Sequence, residues 1–368
     1  MNIIADNTIP YLKGVIEPIA HVTYLNSGQF TADAVREADV LIVRSVDKCS
    51  REILEGSRVK LITTATIGFD HIDTAYCEEA GIRWTNAPGC NAESVAEYLL
   101  ASLFVLSLRT GESLQGKTIG IIGVGHVGKA VEKLCRSVGM HILKNDPPRA
   151  EAEGDEGFVS LQTIAEESDI ITMHTPLTKT GKHPTYHLAD KAFFQSLQKQ
   201  PWLINAARGA IFDTMALLEA KKVGKVGQLI IDCWENEPRI NSELLHLSAI
   251  ATPHIAGFSA DGKANATRMC LEEISRFFKV TIDRLSAVSP APPRNPVIDL
   301  KTFSSDRIEK AIFSSFNPEQ IDALLRANPE KFEWFRANYS YPREFTAYQI
   351  INATKEEQAL LQEIGFQV

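Results

Sequence analysis

The chain has 368 residues, 44% hydrophobic and 23% charged, with 22 Gly and 17 Pro, values that exclude collagen-like, disordered and coiled-coil classes. Its 38 Lys+Arg against 46 Asp+Glu give a formal charge of −8, which argues against sequence-independent nucleic-acid binding because that needs a basic face. At roughly 150 residues per domain the length predicts two or three domains.

The first ninety residues alternate short apolar runs with amphipathic stretches. Asn2–Ala5, Val40–Val43 and Leu61–Thr64 read as buried strands, with short helices at Thr31–Glu37 and Asp73–Ala80, an alternation that predicts a parallel α/β sheet. Ala92–Leu108 is one long helical pattern carrying Val95, Leu99, Leu100, Phe104 and Leu108 at three-to-four spacing, and its length suits a bridge between two domains. Six further strands are predicted at Thr118–Ile122, His141–Asn145, Ile170–Met173, Trp202–Asn205, Gln228–Asp232 and Ile250–Thr252, the complement of a doubly wound dinucleotide fold. A helix at Asp261–Phe278 follows. Ser289–Pro296 holds four prolines in eight residues and reads as a semi-rigid linker. Residues 297–368 then carry 11 of the 29 aromatics, with helices predicted at Asp306–Phe313, Pro318–Ala327 and Thr354–Ile364, a third small domain.

The six cysteines, Cys49, Cys77, Cys90, Cys135, Cys233 and Cys270, form no C-x-x-C pair and show no zinc spacing, so they read as reduced thiols of a cytoplasmic protein and no metal site is expected. Met1–Asp6 has neither the basic stretch nor the apolar core of a signal peptide, and no run approaches 18 apolar residues, so neither a leader nor a membrane span is expected.

Gly123-Val124-Gly125-His126-Val127-Gly128 is G-x-G-x-x-G between an apolar strand and an amphipathic helix. Gly123 allows the tight turn, Gly125 the close approach of backbone to pyrophosphate, and Gly128 close helix–strand packing, while the helix N-terminus faces the anion. His126 and Val127 contribute backbone within that loop. Asp146, ending the next strand 18 residues after Gly128, is placed to bind ribose hydroxyls and repel a 2′-phosphate, so NAD is expected; Arg149 nearby speaks the other way. Thr175 in His174-Thr175-Pro176 and the carboxylate of Asp232 stand at the carboxyl edge of two later strands, where ligands of such sheets bind.

Four blocks in this order resemble the D-isomer-specific 2-hydroxyacid dehydrogenase family: the glycine loop, Asp169–Lys179 (DIITMHTPLTK), Leu203–Asp213 (LINAARGAIFD) and Ile230–Pro238 (IIDCWENEP), closed by Thr252–Gly257 (TPHIAG) and joined by Thr66–Asp73 (TIGFDHID) earlier in the chain. The resemblance covers about residues 1–285. It implies a Rossmann-type NAD domain at 96–258, with a discontinuous flavodoxin-like substrate domain at 1–95 and 259–285 that closes over the substrate. It implies Ala206, Ala207, Arg208 and Gly257 as further cofactor contacts, Arg208 also gripping the substrate carboxylate and polarising the C2 oxygen, Glu237 orienting a histidine, and His254 as the general base. Histidine suits that role because it titrates near operating pH, and a planar guanidinium grips a carboxylate better than lysine does.

Residues 286–368 exceed the generic family chain and resemble the C-terminal dimerisation domain, α+β in class, of a branch acting on a small phosphorylated 2-hydroxy acid. Met1–Leu12, Val43–Val46 and Thr64–Gly68 resemble that branch too. The expected partners are this substrate and a second copy of the chain. Ser45, Thr66, Ile67 and Gly68 match substrate-binding positions, and Arg44 is a candidate phosphate cation or equally a strand cap. Phe258 stands where the branch carries a tyrosine on substrate, so one hydrogen bond is missing there. Two other readings stay open: a phosphoglycerate- or glyoxylate-type dehydrogenase, and a non-catalytic NAD-binding interaction protein.

Overall fold

In the computed structural model, which describes all 368 residues, the apolar runs become the centres of two parallel sheets. Contacts group the chain into two units, Met1–Asn91 with Ser259–Ala291, and Ala92–Phe258 with Pro292–Val368.

The first unit holds β1 (Asn2–Asp6), β2 (His21–Leu25), β3 (Val40–Val43), β4 (Leu61–Thr64) and β5 (Arg83–Thr85) in the order β2-β1-β3-β4-β5, the flavodoxin-like arrangement. β3 and β4 are buried at every residue, which is why they stand out as unbroken apolar runs. On one face the helix Ala260–Phe278 brings Ala264, Cys270, Leu271 and Ile274 against Ile3, Ala5, Val40, Ile42 and Leu61. The other face packs Leu41, Val43 and Ile62 against Val35, Leu54 and Cys77. The edge strands β2 and β5 are absent from the sequence reading. β2 alternates exposed with half-buried residues and β5 has only three residues, so neither makes an apolar run.

The second unit holds β6 (Thr118–Ile122), β7 (His141–Asn145), β8 (Ile170–Met173), β9 (Trp202–Asn205), β10 (Leu229–Ile231) and β11 (Ile250–Ala251), all parallel, in the order β11-β10-β9-β8-β6-β7. The chain steps from β6 outward to β7 and returns to β8 on the other side of β6, so the strand order reverses between β6 and β8. Such a switch point opens a crevice at the carboxyl ends of the strands, and the glycine loop stands there.

Fourteen residues of the helix Ala92–Thr110 are buried. An all-round apolar helix needs cover on every side, and here it comes from the helix His126–Ser137 and from the C-terminal helices Arg307–Ser315 and Pro318–Ala327. The latter begins as the sequence predicts, with the Asn317 side chain accepting a hydrogen bond from the Glu319 N–H and Pro318 in the first turn.

The expected third domain shares its core with the second unit from Pro292 onward. Ile312, Leu325, Phe332, Phe345 and Leu361 belong to the same buried cluster as Leu100 and Val131. The C-terminal segment also contains the helix Phe332–Ala337 and a parallel pair, β12 (Val297–Asp299) with β13 (Gln349–Ile351), too short to read from sequence. No helix is long and apolar enough to cross a membrane.

Candidate active site

Three observations bear on whether the glycine loop fits a dinucleotide. Gly123 has φ +87°, and a Cβ there would meet the His174 carbonyl carbon at 2.7 Å; a Cβ on Gly128 would meet the Gly123 carbonyl oxygen at 2.2 Å. A Cβ on Gly125, by contrast, would meet nothing within 4 Å, so the protein itself does not require glycine there and space is left for a group outside the chain. Gly125 opens the helix His126–Ser137 without a side-chain cap, which presents the N-terminal amides and the positive end of the helix dipole. The Thr175 hydroxyl, at the carboxyl end of β8, is buried with no hydrogen-bond partner in the protein, as expected of a group that pairs with a ligand. These features fit NAD.

Asp146 accepts the Val124 N–H at 2.8 Å and the Arg149 N–H at 3.1 Å, fixing its carboxylate beside the glycine loop. Arg149 is engaged by both carboxylate oxygens of Glu153 and by the Val124 carbonyl. A guanidinium already neutralised in this way is a poor receptor for a 2′-phosphate, which removes the sequence-level argument for NADP.

The three residues expected to be catalytic, Arg208, Glu237 and His254, are brought together by loops after β9, β10 and β11. Asn205 closes the first: its amide oxygen accepts the Ala207 N–H at 3.2 Å and its amide nitrogen donates to the Arg208 carbonyl at 3.0 Å. This fixes the Ala206–Arg208 turn, and the Arg208 guanidinium donates to the Ala207 carbonyl at 2.7 Å. A Cβ on Gly209 would lie 1.9 Å from the Trp234 carbonyl, so only glycine lets this turn approach the backbone ahead of Glu237. Glu237 accepts the Trp234 N–H at 2.7 Å through Oε1 and pairs with His254 Nδ1 at 2.8 Å through Oε2. Burial pushes the Glu237 carboxyl up, but the His254 hydrogen bond and charge outweigh it, and the group lies below its usual range.

His254 has φ +57°, a left-handed conformation unusual for a side chain that is not glycine. Its N–H donates to the Asp232 carbonyl at 2.9 Å. The Asp232 side chain is fully buried, and its carboxylate accepts the Ile255 and Ala256 N–H groups at 2.8 and 3.1 Å and the Thr252 hydroxyl at 2.6 Å. In this structure Asp232 therefore binds the loop that carries His254 on through Ala256 to Gly257. Cys233 completes a trio with Glu237 and His254 whose donor atoms lie within 4.8 Å of one another. Burial raises its thiol well above the usual range, making it a neutral neighbour of the Glu237–His254 pair.

The remaining predicted residues lie in the first unit. Thr66 donates to the Gly68 carbonyl at 2.9 Å and contacts the Thr64 hydroxyl at 2.7 Å, while Asn86 donates to the Ile67 carbonyl at 2.7 Å, so the Thr66–Gly68 turn is internally braced. Ser45 is exposed in the turn after β3 that Arg44 and Asp47 close. The Arg44 guanidinium donates to the Thr8 hydroxyl. Phe258 packs against Tyr339 and edge-on against Tyr341, with centroids 6.4 and 5.8 Å apart. The sequence reading missed both tyrosines; the only signal was the density of aromatics after residue 297.

Residues 104–256 match the model of the D-isomer specific 2-hydroxyacid dehydrogenase NAD binding domain. Among solved structures, the chain is similar to D-lactate dehydrogenase from Aquifex aeolicus complexed with NAD and lactic acid, at 26% identity and TM-score 0.61, over 79% of this chain and 100% of that one. It is also similar to NAD⁺-bound 3-phosphoglycerate dehydrogenase from Entamoeba histolytica, at 27% identity and TM-score 0.63, over 77% and 97%. Those likenesses leave about a fifth of the chain unmatched. Curated relatives extend across it: erythronate-4-phosphate dehydrogenase of Porphyromonas gingivalis is 51% identical over 100% of both chains, and that of Bacteroides thetaiotaomicron is 51% identical over 95% of this chain and 99% of its own. The chain belongs to the D-isomer-specific 2-hydroxyacid dehydrogenases, in the erythronate-4-phosphate dehydrogenase family.

Proposed function

We propose that this protein oxidises 4-phospho-D-erythronate at C2 to 2-oxo-3-hydroxy-4-phosphobutanoate, a step toward pyridoxal 5′-phosphate. The observation that carries the reading is the 2.8 Å Glu237–His254 pair beside the Arg208 turn, in a chain matched end to end by relatives of that name. When bound, NAD supplies the hydride acceptor. Glu237 holds Nδ1 of His254, which leaves Nε2 to take the C2 hydroxyl proton, and the carboxylate stabilises the imidazolium that results. Arg208 supplies a planar cation for the substrate carboxylate and the C2 oxygen. Gly123, Gly125, Gly128, Asp146, Thr175, Ala206, Ala207 and Gly257 serve the cofactor. Ser45, Thr66, Ile67 and Gly68, with Arg44, serve the substrate.

We also assign the C-terminal segment a second copy of this chain as partner. Supporting this, Trp334 and Leu324 are 59% and 50% exposed on a groove also lined by Phe316, Phe335 and Tyr339, and exposed apolar patches of this kind mark association surfaces. Sedimentation of the full-length protein should give a dimer.

The decisive assay is NADH formation from 4-phosphoerythronate, compared with 3-phosphoglycerate and unphosphorylated 2-hydroxy acids. Turnover dependent on the four-carbon phosphate supports the reading. Equal rates without phosphate would overturn the substrate, and no turnover with any hydroxy acid would favour a binding protein.

A further inference from the structure

The loop Ala251–Phe258 carries His254, and residues of the C-terminal segment brace it at both ends. On the entry side, the Asp322 carboxylate, 7% exposed on the helix Pro318–Ala327, accepts the Ala251 N–H at 2.7 Å. Both oxygens of Asp322 also accept from Arg326 Nε at 3.0 and 2.9 Å, and the Arg326 Nη groups donate to the Leu245 and Ser248 carbonyls, each at 2.7 Å. The guanidinium is thus used on three fronts, and the carboxylate it orients is aimed at the strand that ends three residues before His254. Just beyond, Phe316 packs on Tyr98 with centroids 5.8 Å apart. The Tyr98 hydroxyl meets the Thr252 hydroxyl at 2.7 Å. Because the single Thr252 hydrogen goes to Asp232, Tyr98 is the donor, and the chain of bonds runs on to the Ile255 and Ala256 amides. On the exit side, Phe258 is held by Tyr339 and Tyr341.

We propose that the C-terminal segment positions the acid–base loop of its own chain, with Asp322 as the principal positioning residue. The left-handed backbone at His254 persists only if its surroundings over-determine it, and residues 316–341 add holds at the two ends of the loop to those that Asp232, Ser94 and Trp234 exert between them. This rests on the dehydrogenase reading, in which His254 moves the proton. It assigns the segment a task inside one subunit, separate from pairing two.

The test compares Asp322→Ala with Asp322→Asn in the full-length protein. Asparagine can still accept the Ala251 N–H through its amide oxygen; alanine cannot. Asp322→Ala should lower kcat with 4-phosphoerythronate about ten- to a hundred-fold, the scale of a small misplacement of a catalytic group. The Kd for NAD and the sedimentation profile should stay within about twofold, and Asp322→Asn should recover most of the rate. Amide hydrogen exchange in Asp322→Ala should quicken across residues 251–258 and stay unchanged across the glycine loop 123–128. Unchanged exchange at 251–258, or an equal loss of NAD binding, would overturn the inference. A wild-type protein without turnover would sink the proposed reaction while leaving the exchange result to decide this one. Should Asp322→Ala not fold, Tyr339→Leu at the exit side is read by kcat and by exchange across residues 251–258: both should change as for Asp322→Ala, and unchanged exchange would overturn the inference.

Discussion

The residue on which the proposed reaction depends most, His254, is held by geometry as much as by chemistry. Its left-handed φ accompanies a ring turned toward Glu237, and the pair engages Nδ1 while Nε2 stands outside it. His254→Ala should reduce kcat by about 10²- to 10⁴-fold while NAD still binds; near-normal turnover in a steady-state assay would remove it as the base. Another residue carries a pH dependence of folding. Asp47, beside Arg44 and Ser45, is pushed up to about 7 by burial and by the neighbouring Asp6, against the Arg44 N–H bond that lowers it. Its folded value exceeds its unfolded value of 3.8, so the folded state binds more protons between the two, and the stability it contributes below pH 3.8 is lost as pH rises through about 7. Relative to wild type, Asp47→Asn should therefore gain stability progressively from about pH 4 to 7 and hold that gain above. Urea midpoints across this range measure it, and a gain that shrinks with rising pH would contradict the sign.

At the scale of elements, the glycine loop separates what the fold needs from what the ligand needs. Gly128→Ala drives a Cβ into the Gly123 carbonyl oxygen and should cost about 1–3 kcal/mol of stability, as overpacking does. Gly125→Ala places its methyl in open space, with a φ of −72° that any residue accepts. It should leave the melting temperature nearly unchanged and weaken NAD about tenfold or more, because the cofactor's pyrophosphate is expected there. Calorimetry and a binding titration on the two variants check this, and a reversal of the two patterns would refute the assignment. Elements also show what patterning conceals. The buried strands β3, β4, β6, β8 and β9 are legible because both faces are covered and, Asn205 apart, every residue is apolar or small. β2, β5, β12 and β13 are not, because short edge strands carry no such run. The helix Ala92–Thr110 was legible as a helix but not in its role. Its uniform apolarity recorded two layers of cover, and the second layer lies two hundred residues further on.

At the scale of the molecule, the C-terminal segment is continuous with the NAD-binding unit. Phe332, Phe345, Leu325, Leu361 and Ile312 are almost completely buried in one shared core, each contributing about 1.5–3 kcal/mol by burial. That sum is comparable with the ~5–15 kcal/mol net stability of a whole domain. A chain ending at Ala291 should therefore lose the cooperative unfolding of the second unit and bind NAD poorly, beyond any change in oligomeric state. Circular dichroism melts and an NAD titration on the truncated protein test this; a truncated chain that melts like the full-length protein would show the segment to be a detachable module. The formal charge of −8 sharpens the same picture, since an acidic chain must gather its anionic substrate with a few local cations rather than with its overall field.

The sequence by itself determined the family and the groups proposed to do its chemistry. Glycine spacing, the Asp at the second strand end, and Arg208, Glu237 and His254 in ordered blocks are local patterns, and local patterns survive in one dimension. Tertiary structure alone decided how those groups are held. Asp232 reaching the amides of Ile255 and Ala256, Arg149 neutralised by Glu153, Gly209 pressed on Trp234, and Asp322 reaching Ala251 across 71 positions all depend on contacts between distant segments. No periodicity or composition records such contacts, because burial and hydrogen bonding are properties of the folded neighbourhood and not of the residue alone.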